Sequence, residues 1–304
     1  MEKWLEIMRP THWSKNVFVF AALVFGKRLT GRFEDVMLAV AGALAGFFCF
    51  SLAASAVYIF NDIIDRETDR MHPEKSKRPI AAGTVPIELA LLLAGVCVAV
   101  SLVYSFTLVR ELAYIIAAYI VLMMAYSLLL KKVVILDVIV ISVGFVLRAV
   151  AGAVVVGVFI SPWLIICTFA LCLFLGFSKR RSEVAMLSEQ GESFRRTLGG
   201  YNIELLGHML DVTSGLAVVS FLLYSMAPRT FEVFGTQNLV FTTPLVMYCI
   251  FRFSLQAQKG IYSGPVQIIL KDRSFQLGFA LWVLSCIGIV YLGKIFSLYG
   301  ILAY

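Results

Sequence analysis

An all-α, polytopic membrane protein is the fold class the sequence predicts, and three observations predict it. Sixty per cent of the residues are hydrophobic and only 15% are charged, with a mean hydropathy of +0.89, whereas roughly a quarter of the residues in a soluble globular domain are charged. Uncharged apolar runs recur at lengths close to the roughly 20 residues that a helix needs to cross a bilayer. Lysines and arginines collect in alternate intervals between those runs, as the positive-inside rule requires of a chain that crosses repeatedly.

The first apolar run, 16–26, is short and reaches membrane length only if Lys15, Lys27 and Arg28 snorkel towards the interfaces. Runs 36–60, 89–109 and 112–130 follow, each long enough by itself. The uncharged stretch 149–178 exceeds one helix, and Gly157 with Ser161-Pro162 divides it into the end of one span and a complete second one. Runs 212–228, 239–258 (with Arg252 near one end) and 274–293 complete an expectation of nine spans. With the N-terminus placed in the cytoplasm, nineteen of the 26 lysines and arginines fall on the cytoplasmic side and six on the opposite side, and Arg148 lies within a span. The expected location is the inner (plasma) membrane, multi-pass, with the C-terminus outside.

The chain reads as one integral membrane domain, 1–304. Two cytoplasmic loops, 61–85 and 178–206, are longer than connection requires and mix both charge signs, which makes them candidates for function. The opening residues hold no apolar core before Val17, so the first helix is expected to be retained rather than cleaved as a signal. The six cysteines fall inside spans without metal-site spacing and read as packing residues. Basic residues beside membrane helices answer to topology and anionic headgroups, so membrane lipid is an expected partner and nucleic acid is not.

The first long loop reads NDIIDRETDRMHPEKSKRPIAAG from Asn61. If the preceding helix continues outward, Asp62, Asp65 and Asp69 lie at i, i+3 and i+7, within about 60° on one face. Carboxylates held so close repel one another unless a cation sits between them, and carboxylate oxygens are preferred ligands of Mg²⁺, which also binds substrate phosphates. Asn61 adds an amide oxygen. Lys75, Lys77 and Arg78 supply phosphate-binding cations, and Pro73, Pro79 and Gly83 would fold that basic stretch back over the site. The alternative is a solvated helix end, with Arg66 and Arg70 pairing the aspartates at helical spacing.

An acidic helix end N-D-x-x-D-x-x-x-D followed by R-P, on a nine-helix membrane scaffold, resembles the UbiA superfamily of intramembrane prenyltransferases over essentially the whole chain. Most of that superfamily carries a second D-x-x-x-D segment after the sixth helix; here the corresponding residues begin Ser178-Lys179-Arg180-Arg181-Ser182-Glu183. That basic replacement, with the opening RPTHWSKN and the later HPEKSKRPIAAG, is similar to one branch, the decaprenyl-phosphate phosphoribosyltransferases. The resemblance implies a UbiA-like bundle, Mg²⁺ as cofactor, phosphoribosyl diphosphate as donor and a polyprenyl phosphate as acceptor, with release of diphosphate. Ordinary prenyl transfer to an aromatic acceptor is the alternative, which the basic replacement disfavours. A transporter would place ionisable residues in several spans, and only Arg148 qualifies clearly.

Further substrate-binding candidates carry open alternatives. Lys15 and Asn16 bind substrate or anchor the first helix at the interface. Lys179 and Arg180 bind phosphate, with Glu183 beside them, or Glu183 simply pairs Lys179 at i+4. Arg148, eleven residues after Asp137 along one helical face, faces a polar cavity or makes an interhelical contact. Tyr201 is a further candidate. No Ser/His/Asp or Cys/His arrangement is present, consistent with an acceptor phosphate that is already anionic. Homo-oligomerisation is left open.

Overall fold

Helices make up all the regular structure among the residues that the computed structural model describes, namely 2–159, 161–190, 198–260, 262 and 264–292. Arg195, Arg196 and Lys294, counted above, lie outside them. The chain divides into two compact units, Met1–Ile160 and Ser161–Tyr304. The first holds α1 (Glu2–Met8), a 3₁₀ helix (Pro10–Phe20), α2 (Ala21–Phe25), α3 (Phe33–Ile64), α4 (Arg66–Arg70), α5 (Ile87–Leu108), α6 (Arg110–Leu128) and α7 (Leu136–Val156). The second holds α8 (Pro162–Gln190), α9 (Ile203–Met226), α10 (Pro228–Phe234), α11 (Thr243–Lys259), α12 (Pro265–Lys271) and α13 (Arg273–Ile287).

Eight helical segments among the described residues are long and apolar enough to cross a membrane: α3, α5, α6, α7, Pro162–Ala185, α9, Asn238–Lys259 and Arg273–Tyr291. The expected break near 157–162 is present. Gly157 ends α7 in the left-handed conformation (φ 66°) that suits glycine, and Pro162 opens α8, where its missing N–H costs nothing.

The ninth expected span differs. Residues 16–26 form no α-helix of membrane length: Pro10–Phe20 takes the tighter 3₁₀ form and α-helix resumes for only five residues, to Phe25. The two stretches together rise about 30 Å at the pitches of their helix types, so a count of apolar residues was the wrong measure for this segment. The three-residue turn of the 3₁₀ helix aligns Trp13, Asn16 and Val19 on one ridge. Asn16 and Val19 are buried, and Trp13 donates from Nε1 to Ser55 Oγ of α3 at 3.0 Å.

Within the first unit α3 is the central element, packing against α5, α6, α7 and the 3₁₀ helix. Its residues Ser51–Val57 are buried on every side, which a stretch dominated by Ser, Ala and Val allows because small side chains let neighbouring backbones approach. The 3₁₀ helix lies so close to α7 that a Cβ on Gly152 would run into the Val19 carbonyl, and Gly42 and Gly46 of α3 face Val155 of α7 in the same way at 3.2 Å. With 32 residues, α3 rises about 48 Å, about 18 Å more than the roughly 30 Å hydrocarbon core, which is enough to carry it beyond that core by several turns.

In the second unit α8 packs along α9, and α11 packs against α9 and α13. Phe174 and Phe253 meet at 5.3 Å between ring centroids, and Arg181 Nη1 donates to the Ala257 carbonyl at 3.1 Å, tying α8 to the end of α11.

Candidate active site

The end of α3 and the turn that follows hold the acidic cluster. α3 ends at Ile64, Asp65 takes a bridging conformation (φ −87°, ψ 2°), and α4 begins at Arg66. That hinge separates the three aspartates into two arrangements. Asp62 and Asp69, both 4% exposed, converge on one nitrogen: Arg78 Nη1 donates to Asp62 Oδ1 at 3.2 Å and to Asp69 Oδ2 at 2.5 Å. Asp65 turns aside, accepting from Lys131 Nζ at 2.5 Å and from Asn61 Nδ2 at 3.0 Å, while Lys131 also donates to Asn61 Oδ1 at 3.3 Å.

A second guanidinium closes the site from the N-terminal segment. Arg9 donates from Nη2 to both oxygens of Asp62, at 2.5 and 2.8 Å, and its Cζ stands 5.4 Å from the Tyr58 ring centroid. Arg9 joins α1 to the 3₁₀ helix in the left-handed region (φ 52°, ψ 61°), which costs a non-glycine residue about 1–2 kcal/mol. Two contacts hold the junction in place: Ser55 Oγ donates to the Met8 carbonyl at 2.8 Å and accepts from Trp13.

Deeper along the same seam, Arg148 is 4% exposed. Its Nε donates to Asn16 Oδ1 (2.7 Å), Nη1 to the Gly144 carbonyl (2.7 Å) and Nη2 to Tyr119 Oη (2.8 Å). Its guanidinium stands within 5.5 Å of the Phe50, Tyr119 and Phe145 ring centroids. Asn16 in turn donates to Ser51 Oγ at 3.0 Å. Lys15 is exposed, with Nζ 5.8 Å from the Tyr58 ring centroid.

The chain therefore brings together Asp62, Asp69 and Arg78; Asn61 and Asp65; and Asn16 and Arg148. Lys75 and Lys77 lie in a 3₁₀ turn ahead of Arg78, with Lys77 exposed, and Arg78 pairs with Asp62 and Asp69. Local pairing does not organise the cluster, because Arg70 turns to Glu67 and to the Ala81 carbonyl. In the second unit Glu183 accepts from the buried Arg180 at 2.5 Å and lies 3.9 Å from Lys179 Nζ, and Tyr201 is buried. Sequence reasoning missed Arg9 and Lys131 as site cations. The R-P of the opening motif was the available signal for Arg9; Lys131 stood out only as a topology charge.

The donor set suits a divalent cation. Asp62, Asp65, Asp69 and Asn61 offer the hard oxygen ligands that Mg²⁺ prefers, and Asp62 and Asp69 already aim one oxygen each at a single cationic atom. Among the described residues no three His, Cys, Asp or Glu side chains gather into a ready cage, so such an ion would be shared with substrate oxygens, as is usual for Mg²⁺.

Membrane-spanning helices with an acidic, cation-rimmed site at the end of α3, the central helix of the first unit, fit an integral-membrane transferase. The chain belongs to the UbiA prenyltransferase family, whose sequence pattern matches residues 16–181. It is 33% identical to a decaprenyl-phosphate phosphoribosyltransferase from Mycolicibacterium smegmatis, over 92% of this chain and 89% of that one, and 30% identical to one from Corynebacterium glutamicum, over 96% and 88%. The nodulation protein NoeC of Azorhizobium caulinodans is 28% identical over 84% of this chain and 83% of its own. The fold is similar to that of a UbiA homolog from Archaeoglobus fulgidus solved with GPP and Mg²⁺, with a TM-score of 0.68 at 18% identity, covering 95% of this chain and 99% of that one.

Proposed function

We propose that the chain transfers 5-phosphoribose from phosphoribosyl diphosphate to a polyprenyl phosphate of the decaprenyl type, releasing diphosphate. It does so on the cytoplasmic face of the inner membrane, with its N-terminus on that face and its C-terminus outside. The observation that carries this reading is the convergence of Asp62 and Asp69 on one cationic nitrogen, with Arg9 closing on Asp62 and Lys131 on Asp65. It occurs in a chain 33% identical to an enzyme named for this transfer.

In the reaction an oxygen of the lipid phosphate bonds to ribose C1 while the C1–O bond to diphosphate breaks, and the bonding pair departs with the diphosphate. The attacking phosphate is already an anion, so no general base is needed. Asp62 and Asp69, with Asp65 and Asn61 beside them, would hold Mg²⁺, which when bound supplies neutralising charge for the leaving diphosphate. Arg9 and Arg78 are able to pass their hydrogen bonds from carboxylate to phosphate oxygens, since both are charge-assisted acceptors. Lys75 and Lys77 add positive potential on the loop. Lys179 and Arg180, held by Glu183, with Tyr201, are the second unit's candidates for contact with anionic substrate.

The test is to incubate purified protein and Mg²⁺ with phosphoribosyl diphosphate and a polyprenyl phosphate, and separately with an isoprenyl diphosphate and an aromatic acid. Lipid-linked phosphoribose and released diphosphate in the first mixture are expected. Diphosphate release confined to the second mixture would replace this reading with ordinary prenyl transfer.

A further inference from the structure

The N-terminal segment runs antiparallel to α3, and the seam between them is polar from end to end. Arg9 meets Asp62, Trp13 meets Ser55 and Asn16 meets Ser51. Ser51, Ser55, Tyr58 and Asp62 follow one another at intervals of four, three and four residues on one face of α3, so the seam extends about 16 Å along the helix from the acidic site. Its upper end balances charge, with Arg9 against Asp62. Lower down the balance fails. Lys15 and Arg148 each lack a carboxylate within ion-pair distance among the described residues.

The two cations are held differently. Arg148 is buried and engaged at each nitrogen: Nε, Nη1 and Nη2 all donate within the protein and three aromatic rings lie near it. A charge buried in a spanning helix without a counter-ion is expensive, and an anion arriving nearby in that low-dielectric setting would recover part of the cost. Lys15 is the accessible one. It shares a 3₁₀ ridge with His12, three residues earlier, and both lie against Tyr58, with the His12 ring 5.0 Å from the Tyr58 ring. Tyr58 precedes Asp62 by one helical turn, so Lys15 stands about 6 Å further along α3 from the acidic site, towards the helix interior.

We propose that Lys15 binds the phosphate monoester of the lipid acceptor, and that Arg148 acts through Asn16 as a positioning residue for it. The inference rests on the proposed phosphoribosyl transfer and assigns one of its substrates to a place. The donor diphosphate belongs to the carboxylate end, where Arg9, Arg78 and the aspartates gather. A phosphate carried on an isoprenoid chain must come from the hydrocarbon side, and the exposed Lys15 is the cation on that side of the acidic site. The neighbouring Asn16 is fixed between Ser51 and Arg148, which sets the direction of the 3₁₀ ridge that carries Lys15.

The experiment measures binding to purified full-length protein of four probes: farnesyl phosphate, farnesol, inorganic phosphate and phosphoribosyl diphosphate with Mg²⁺. In Lys15→Gln the Kd for farnesyl phosphate should rise by about tenfold or more, with farnesol and phosphoribosyl diphosphate unchanged, and Lys15→Arg should restore most of the affinity. Asn16→Asp gives Arg148 an internal counter-ion, so it should weaken farnesyl phosphate selectively while thermal stability is kept. A purely structural role for Asn16 would shift farnesol equally, and that result would overturn the positioning assignment. Farnesol binding also reports that each variant is folded. Loss of phosphoribosyl diphosphate in Lys15→Gln with farnesyl phosphate unaffected would overturn the inference and leave the proposed function standing. Inorganic phosphate binding as tightly as farnesyl phosphate would mark a free-phosphate site and overturn it too. If the wild type binds neither phosphorylated isoprenoid nor phosphoribosyl diphosphate, the proposed function falls and the inference with it.

Discussion

Two buried carboxylate sites, one in each unit, are partnered in opposite ways. Asp272 caps α13: its Oδ1 accepts from the Phe275 N–H at 2.6 Å and Arg252 Nε at 3.0 Å, and its Oδ2 accepts from Arg252 Nη2 at 2.8 Å and Gln256 Nε2 at 2.5 Å. One cation and two neutral donors close around one acid, all from residues 252–275. Asp62, Asp65 and Asp69 are answered by Arg9, Arg78 and Lys131, which come from three separate segments. Every charged partner there is a cation whose hydrogen bonds an incoming phosphate could claim. On the proposed reading, an acid closed by one cation and two neutral donors locks a helix, whereas acids shared among several cations handle substrate.

The sharpest way to break that comparison is to neutralise one acid on each side. Asp62→Asn should lower turnover by about 10³-fold, the scale for removing a group that stabilises developing charge, while the protein elutes and melts like the wild type in detergent. Asp272→Asn should instead lower the melting temperature and leave kcat of the folded fraction close to normal. Equal kinetic losses in the two variants would erase the distinction.

Gly152→Ala comes next, because the new Cβ must displace the backbone of the 3₁₀ helix at Val19. A loss of about 1–3 kcal/mol is expected, read from chemical unfolding, together with a raised KM because Arg9 and Lys15 ride on that segment. Ser55→Ala removes the hydroxyl that links Met8 to Trp13 and should cost about 1 kcal/mol, visible as faster proteolysis ahead of Pro10. The smallest effect is in acid. The Arg252 hydrogen bonds hold the Asp272 carboxyl below the usual carboxylate range, against the opposing pull of burial, and the Phe275 N–H adds to the depression. Because the folded value is the lower one, this stabilisation is complete above about pH 4 and is lost as pH falls through the folded value. A melting-temperature scan from pH 6 to pH 3 should slope less in Asp272→Asn than in the wild type.

Hydropathy and punctuation made most of the fold legible. Eight spans follow from apolar length, and Gly157 with Pro162 marks the break between α7 and α8 because left-handed φ and a missing N–H leave few alternatives. The 3₁₀ segment was not legible, since apolar counts carry no information on pitch. In the candidate site the acids were legible from their spacing and Arg78 from the basic stretch that follows them, but Arg9 and Lys131 were not. Asp62 takes a partner 53 residues away and Asp65 one 66 residues away, separations that no local pattern encodes. The hinge at Asp65 was equally hidden, because i, i+3, i+7 spacing presumes an unbroken helix.

The 3₁₀ helix has one further consequence, for how this segment can change over evolutionary time. Each residue in it turns the chain by about 120°, so a single residue added or removed between Pro10 and Trp13 would swing Lys15 off Tyr58 and Asn16 off Arg148 together, whatever the residue was. Related chains should therefore exchange side chains in this stretch freely at its outward positions, yet keep its length fixed.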